Sequence, residues 1–182
     1  MRNAGRLKLG YFPLPTEEGH RLRRLLQSTE PISAIDPCAG TGAALHLITA
    51  SLPCRRYGIE LDAERALAAS RSGIETVQGN LFDAHAKVES FSLLYLNPPY
   101  DSEIGMLNNQ RMELLFLEHT YRWLVHGGVL LFRGAGKTAF GVHPAAGSEL
   151  HQLPSRMESM ATSRVQRRLT PSDFSPGSPS RP

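Results

Sequence analysis

The 182-residue sequence has few of the features that mark membrane or secreted proteins. It has only two cysteines, Cys38 and Cys54, without metal-site spacing, and we expect both to be small buried residues in a reducing, cytoplasmic setting. No hydrophobic run is long enough to span a membrane, and the start, MRNAGRLKLGYFPLP, has no apolar signal core. These absences favour a soluble globular protein of one domain, with no membrane partner.

Lysine is also scarce: 17 of the 20 basic residues are arginines. Residues 1–133 carry 14 basic and 14 acidic residues, whereas residues 134–182 carry 6 basic and 3 acidic residues and so supply the net charge of +3. A basic balance is a common sign of nucleic-acid binding. Here the excess lies in the C-terminal stretch, so charge gives only weak support for a nucleic-acid partner.

Strand and helix patterns alternate through residues 1–133. Two of the predicted strands contain the runs LLYL and VLLF, which are apolar throughout and suit strands covered on both faces. The alternation predicts an α/β fold with a doubly wound, mostly parallel, Rossmann-like sheet. Asp62 is expected to cap one helix and Gly73 to end it. The stretch QRMELLFLEHTYRWLVHGG predicts a long amphipathic helix.

The alternation stops at residue 133. Residues 134–182 hold 8 Ser, 6 Pro and 5 Gly in 49 positions, so we predict a core domain over 1–133 and a Ser/Pro/Arg-rich, largely disordered tail over 134–182. The fifth strand would then be an exposed edge, in a sheet that lacks its last strands. Lys137 lies in a Gly-Lys-Thr sequence that looks like a phosphate loop. Leu131 replaces the glycine which that loop requires, so Lys137 is expected in a solvated loop.

The segment AIDPCAGTGAAL forms the first predicted strand-to-helix turn. Gly40 and Gly42 allow a tight turn that a ligand can approach closely, and Glu60 ends the second strand 18 residues after Gly42. In a doubly wound fold, an acid at that place can accept hydrogen bonds from both ribose hydroxyls. The dinucleotide fingerprint would need glycine at position 45, where the chain has Leu45. A purely structural turn is the alternative interpretation.

This segment resembles motif I of class I S-adenosylmethionine-dependent methyltransferases, in which an acid precedes a Gly-x-Gly loop. The resemblance implies S-adenosyl-L-methionine as the cofactor. The N-terminal stretch GYFPLPTEEGHRLRRLL resembles the segment that closes over the cofactor's methionine end in such enzymes, although a helix N-cap is the alternative for Thr16. The cofactor-binding residues that the resemblance implies are Asp36, Pro37, Gly40 and Gly42 near the methionine part, Glu60 on the ribose, Asn80 and Leu81 near adenine, and Pro15 and Thr16.

The fourth predicted strand ends in NPPY, residues 97–100. Ligands bind beyond the carboxyl ends of parallel strands, so Asn97 should lie beside the reactive end of the cofactor. The Asn97 side-chain oxygen and the Pro98 carbonyl, held by two prolines, can accept both hydrogens of one amino group. Such acceptors favour a tetrahedral nitrogen as positive charge develops. We predict Asn97, Pro98, Pro99 and Tyr100 as catalytic residues, with Tyr100 stacking on a planar substrate, and no metal.

NPPY strongly resembles motif IV of amino-methyltransferases. The resemblance implies methyl transfer to an exocyclic amino nitrogen, with adenine N6 in DNA as the favoured acceptor and nucleic acid as the partner. RNA and the glutamine of release factors stay open, because enzymes that act on them carry the same motif. No segment looks like a target-recognition domain, and further strands are not evident. Either a partner subunit supplies both, or the enzyme is lax, or the chain is an inactive, truncated remnant.

Overall fold

The computed structural model describes residues 11–99, 112–134 and 137–143. Within these ranges, no helix is long and apolar enough to cross a membrane. The chain alternates strands and helices as the sequence predicts. The elements are α1 (Thr16–Leu25), β1 (Ile32–Asp36), α2 (Ala43–Thr49), β2 (Cys54–Glu60), α3 (Ala63–Arg71), β3 (Glu75–Gln78), a 3-10 turn (Leu81–Asp83), β4 (Phe91–Leu96), α4 (Met112–Thr120), a second 3-10 turn (Tyr121–Trp123), β5 (Leu124–Gly134) and β6 (Lys137–Val142).

The strands form one sheet in the order β3-β2-β1-β4-β5-β6. The first five are parallel and β6 is antiparallel to β5, which confirms the prediction of a mostly parallel, doubly wound α/β sheet. Strand β4 is buried at all six positions because it lies in the middle of the sheet with apolar clusters on both faces. Leu94 and Leu96 contribute to one cluster, whereas Leu93 and Tyr95 contribute to the other.

Helix α3 has the ends that the sequence predicts. The Asp62 side chain caps it by accepting a hydrogen bond from the Arg65 backbone N–H at 2.9 Å. Gly73 follows the helix with a φ of 87°, a left-handed conformation that favours glycine. Both predictions are confirmed, and the cap fixes the start of α3 directly after Glu60 at the end of β2.

The predicted long helix is wrong in its second half. Helix α4 ends at Thr120, a 3-10 turn follows, and β5 begins at Leu124, where Leu124 pairs with Phe91 of β4. Trp123 and Leu124 are buried in the core, so sheet pairing and burial together outweigh helical continuity. The sequence TYRWLV fits both a helical and a strand period, which is why periodicity alone misassigns it.

The expectation that β5 forms an exposed sheet edge is also wrong. Strand β6 pairs with β5 from Val129↔Val142 to Gly134↔Lys137 and covers that edge. Lys137 begins this strand and does not lie in a loop. Residues 137–142 fall within the stretch predicted as a tail, whereas residues 144–182 lie outside the described residues. The domain boundary after residue 133 therefore stays a prediction.

Candidate active site

A cleft of about 220 Å³ lies at the carboxyl ends of the central strands. Residues that directly end or follow β1, β2, β3 and β4 line it, because the carboxyl ends of parallel strands meet at one edge of the sheet. The N-terminal residues 11–14 and the start of α1 also line it. The predicted site residues that line the cleft are Thr16, Asp36, Pro37, Glu60, Asn80, Leu81, Asn97 and Pro99.

Asp36, the last residue of β1, is almost fully buried, with 1% of its surface exposed. Its Oδ1 accepts a hydrogen bond from the Cys38 backbone N–H at 2.9 Å. Burial raises the pKa of this carboxyl from 3.8 to about 7, and the negative charge of Glu60 adds to the rise, while the hydrogen bond from Cys38 opposes it. The same burial raises the pKa of the Cys38 thiol, which is therefore not a reactive thiolate.

Glu60, the last residue of β2, is held by several donors. Its Oε2 accepts from the Gly40 backbone N–H at 2.8 Å, and its Oε1 accepts from the Asp62 backbone N–H at 2.9 Å. The Arg65 guanidinium forms an ion pair with Oε1, with Nη2 at 2.7 Å and Nε at 3.1 Å. The carboxylate therefore joins the glycine loop after β1 to the start of α3, at the place where the sequence predicts a ribose-binding acid.

The N-terminal strap, residues 11–15, contacts both the glycine loop and the end of β4. The Tyr11 ring packs on Gly40, its hydroxyl lies 3.5 Å from Thr41 Oγ1, and the Arg65 guanidinium lies 5.2 Å from the ring centroid. The Phe12 carbonyl accepts a hydrogen bond from Asn97 Nδ2 at 2.8 Å. The strap thus joins the two motifs that the sequence identifies 57 residues apart.

The two glycines of the loop have left-handed backbones, with φ of 56° at Gly40 and 81° at Gly42. Side chains of the protein itself also exclude a Cβ atom at each position, since the Tyr11 ring would meet one at Gly40 and Ile74 would meet one at Gly42. We predicted that these glycines let a ligand approach. In the structure the close approaches are made by Tyr11 and Ile74, and neither glycine is among the residues that line the cleft.

Asn97 follows the last residue of β4 and lines the cleft. A carbonyl oxygen can only accept hydrogen bonds, so the contact with Phe12 requires the NH₂ group of Asn97 to face the strap. The side-chain oxygen is thereby turned away from Phe12. Pro99 lines the cleft beside it, whereas Pro98 is buried and is not among the described lining residues. Tyr100 lies outside the described residues.

Part of the cleft lining is apolar. Leu61, Leu81 and Phe116 form this part, and Leu81 and Phe116 are largely buried while Leu61 is 56% exposed. Asn80 also lines the cleft, and its side-chain oxygen caps the 3-10 turn by accepting from the Phe82 backbone N–H at 3.2 Å. Apolar side chains beside a polar residue such as Asn80 suit a planar heterocycle that carries polar groups at its edge.

Several lining residues were not singled out from the sequence. They are Tyr11 and Phe12 of the strap, Arg65 of α3, and Leu61 and Phe116. Arg65 has a signal that could have been used, since it lies in the first turn of a helix that begins three residues after Glu60, at Ala63. Two predicted residues, Pro15 and Thr16, lie side by side at the start of α1. Pro15 is the N-cap position, so Thr16 does not cap the helix, and Thr16 lines the cleft.

A family model shows which group of proteins shares this arrangement. The model of an uncharacterised methyltransferase family (DUF6094) matches residues 1–134, which contain the strap, the glycine loop and Asn97. The chain belongs to this family. A search of curated proteins gives no match. The sequence prediction of a methyltransferase is confirmed at this level, and the family model ends at the last residue of β5.

Solved structures share the fold of this methyltransferase family member. A Listeria monocytogenes protein assigned to class I S-adenosylmethionine-dependent methyltransferases aligns with 19% identity and a TM-score of 0.54 over 65% of this chain and 45% of that one. A Geobacter sulfurreducens S-adenosylmethionine-dependent methyltransferase in complex with S-adenosyl-L-homocysteine aligns with 15% identity and a TM-score of 0.50, over 65% of this chain and 48% of that one. A geranyl diphosphate methyltransferase in complex with S-adenosylmethionine aligns with 16% identity and a TM-score of 0.50, over 64% of this chain and 47% of that one. The chain thus spans about half the length of these structures.

Proposed function

We propose that this chain forms the S-adenosylmethionine-binding core of a methyltransferase whose acceptor is an exocyclic amino nitrogen, with adenine N6 in DNA favoured. The observation that carries the proposal is the position of Asn97. It lies in the same cleft as Asp36 and Glu60, and its side chain is oriented by the Phe12 carbonyl. A cofactor-type cleft and an oriented amide acceptor therefore share one cavity.

The cleft lining includes residues suited to each part of this cofactor. The apolar side chains of Leu61, Leu81 and Phe116 suit the adenine ring, and Glu60 suits the ribose hydroxyls. The buried Asp36 suits the cationic methionine part, because a buried carboxyl with a raised pKa is stabilised in its ionised form by a nearby positive charge. These three features line a single cleft.

The acceptor amine would be held by the end of β4. The cofactor supplies an electrophilic methyl group when it is bound. Asn97 accepts a hydrogen bond from the amino group through its side-chain oxygen, and the adjoining prolines restrict the backbone so that a second acceptor keeps a fixed direction. This arrangement orients the amine and stabilises the positive charge that develops on nitrogen, without a strong base.

The choice of DNA adenine rests on the NPPY sequence, which also occurs in enzymes that act on RNA and on protein glutamine. Tyr100 would provide a surface for stacking a base, as aromatic residues do in base-flipping pockets. A specificity subunit that brings the nucleic acid to this core is part of the proposal.

Two experiments test the proposal. Calorimetry should detect binding of S-adenosylmethionine and S-adenosylhomocysteine, and an absence of binding at high micromolar concentration would favour an inactive remnant. Transfer of a radiolabelled methyl group to unmethylated DNA, RNA and a release factor, assayed in parallel, separates the three acceptors. Label on the release factor or RNA alone would refute the adenine assignment in DNA.

The Asn97→Ala variant tests the role of the amide. We expect at least about a 100-fold loss in methyl transfer with retained binding of S-adenosylhomocysteine, because an oriented transition-state acceptor is removed. Gln27→Ala is the matched control, since it removes an amide from an exposed position outside the cleft. Full activity in the Asn97→Ala variant would show that this residue does not orient the amine.

A further inference from the structure

One oxygen of the Glu60 carboxylate, Oε1, is already filled by donors of the protein, whereas Oε2 accepts a single hydrogen bond. Four hydrogen bonds reach it, one from Gly40, one from Asp62 and two from Arg65, and three of them converge on Oε1. An ionised carboxylate offers about four lone-pair positions in total. A ribose diol that places one hydroxyl on each carboxylate oxygen must therefore displace donors from Oε1.

Only the Arg65 donors can leave without disrupting the backbone. The Gly40 N–H belongs to a left-handed loop that is packed beneath Tyr11, and the Asp62 N–H belongs to the residue that caps α3. Arg65 reaches Glu60 through a long, flexible side chain, 16% of which is exposed. Its guanidinium can therefore move toward solvent while β1, β2 and α3 keep their positions.

The Arg65 guanidinium also has a second contact that keeps it at the cleft. It lies 5.2 Å from the centroid of the Tyr11 ring, within the range of a cation–π interaction. The guanidinium is thus held between a carboxylate that is 7% exposed and an aromatic ring of the strap. Both contacts favour the arrangement in which Arg65 occupies the hydrogen-bonding positions of Glu60.

We propose that Arg65 is an internal competitor for the ribose hydroxyls, which lowers cofactor affinity until its guanidinium withdraws from Glu60. The proposal rests on the proposed function, because it assumes that a nucleoside binds in this cleft. Only the fraction of molecules in which Arg65 has withdrawn is competent to bind the diol, so the apparent Kd equals the intrinsic Kd divided by that fraction. Arg65 is thereby a residue that sets affinity and selects for ligands able to displace it.

Calorimetric titration of the full chain with S-adenosylhomocysteine at pH 8.5 tests this. Arg65→Met keeps the apolar stem and the helix propensity while removing the guanidinium. We expect its Kd to be about tenfold lower than that of the wild type, which corresponds to the loss of a charge-assisted hydrogen-bonded pair. An unchanged or higher Kd in Arg65→Met would overturn the proposal.

Arg55→Met is the matched control. Arg55 forms an exposed ion pair with Glu75 at 3.6 Å, with exposed side-chain fractions of 76% and 59%, and it lies outside the cleft. The control should bind S-adenosylhomocysteine with the wild-type Kd. A tenfold gain in this variant as well would mean that a general change of charge, and not release of Glu60, raises affinity.

The 2′-deoxy analogue of S-adenosylhomocysteine separates competition from a general loosening of the cleft. If Arg65 competes with the diol, Arg65→Met should improve the affinity for the 2′-deoxy analogue less than the affinity for S-adenosylhomocysteine. The analogue has one ribose hydroxyl fewer and so competes for fewer of the Glu60 hydrogen bonds that Arg65 makes. An equal gain for both ligands would overturn the proposal. If Arg65→Met does not fold, Arg65→Lys replaces it, since lysine keeps the charge but cannot bind in the bidentate fork. We then expect Arg65→Lys to bind S-adenosylhomocysteine more tightly than the wild type, by less than tenfold. An unchanged Kd in this variant would also overturn the proposal.

The outcomes distinguish this proposal from the proposed function. Binding to the wild type together with weaker binding to Arg65→Met would refute the competition and leave the cofactor assignment intact. No binding to either protein would refute both. Binding that is detected only in Arg65→Met would support both, because removal of the competitor would have exposed the site.

Discussion

Burial of Asp36 should make the fold less stable at neutral pH than in acid. The pKa of its carboxyl rises from 3.8 to about 7, so the folded state binds the proton more tightly than the unfolded state does. Stability from this group is therefore highest below pH 4 and falls as the pH rises through about 7. At 1.36 kcal/mol per tenfold change in proton affinity, the full cost above pH 7 is about 4 kcal/mol.

The Asp36→Asn variant removes this cost while keeping an oxygen that can accept from the Cys38 N–H. Urea unfolding of both proteins at pH 5 and pH 8.5 measures the difference in free energy of unfolding. At pH 5 only part of the cost is present, since the folded carboxyl is still protonated. We therefore expect the stability gain of Asp36→Asn over wild type to be about 3 kcal/mol larger at pH 8.5 than at pH 5.

The exposed Asp83 provides the control for the loss of one carboxylate. Asp83→Asn should change stability by less than about 0.5 kcal/mol at both pH values, as is usual for surface substitutions. A gain for Asp36→Asn that is the same at both pH values would refute the reasoning, because it would mean that the Asp36 carboxyl ionises at its ordinary pH in the folded state.

Other predictions follow from the same contacts. Because protonated Asp36 cannot attract a cation, the Kd for S-adenosylmethionine should be about tenfold higher at pH 6 than at pH 8. Calorimetry at both pH values checks this, and an equal Kd would contradict it. Gly42→Ala should lower the free energy of unfolding by about 1–3 kcal/mol, because its Cβ would meet Ile74 at a left-handed φ of 81°. Gly73 has a φ of 87°, and a Cβ added there would meet nothing within 4 Å, so Gly73→Ala tests the backbone strain alone. In urea unfolding, it should lower the free energy of unfolding by less than Gly42→Ala does.

The convergence of the motif residues was predictable because it follows from topology. Asp36, Glu60 and Asn97 each end or follow a parallel strand, and such strand ends meet at one edge of the sheet. Strand and helix periodicity therefore places them in one cleft without knowledge of any tertiary contact. The same logic does not assign chemistry, since the roles of these residues remain predictions.

The contacts around Glu60 could not be predicted, because they depend on the directions of side chains. A sequence shows that Arg65 lies five positions after Glu60, but not that its fork points back to the carboxylate or that Tyr11 packs beside it. Strand β6 was missed for a different reason. The sequence TAFGV follows a Gly-Lys-Thr that draws attention to a loop, and its pairing depends on β5. Pairing between strands is decided by tertiary context more than by local propensity.

The hydrogen bond between Asn97 and Phe12 also bears on the order of events during synthesis. Its partners are 85 residues apart in the chain, so Phe12 is synthesised well before Asn97. At roughly 5–20 residues per second, the wait lasts roughly 4–17 s. Strand β4 must then join the sheet between β1 and β5, and β5 is synthesised later still. The amide of Asn97 can therefore be oriented only after β4 has been synthesised, and a nascent chain that carries the complete glycine loop still lacks its acceptor geometry.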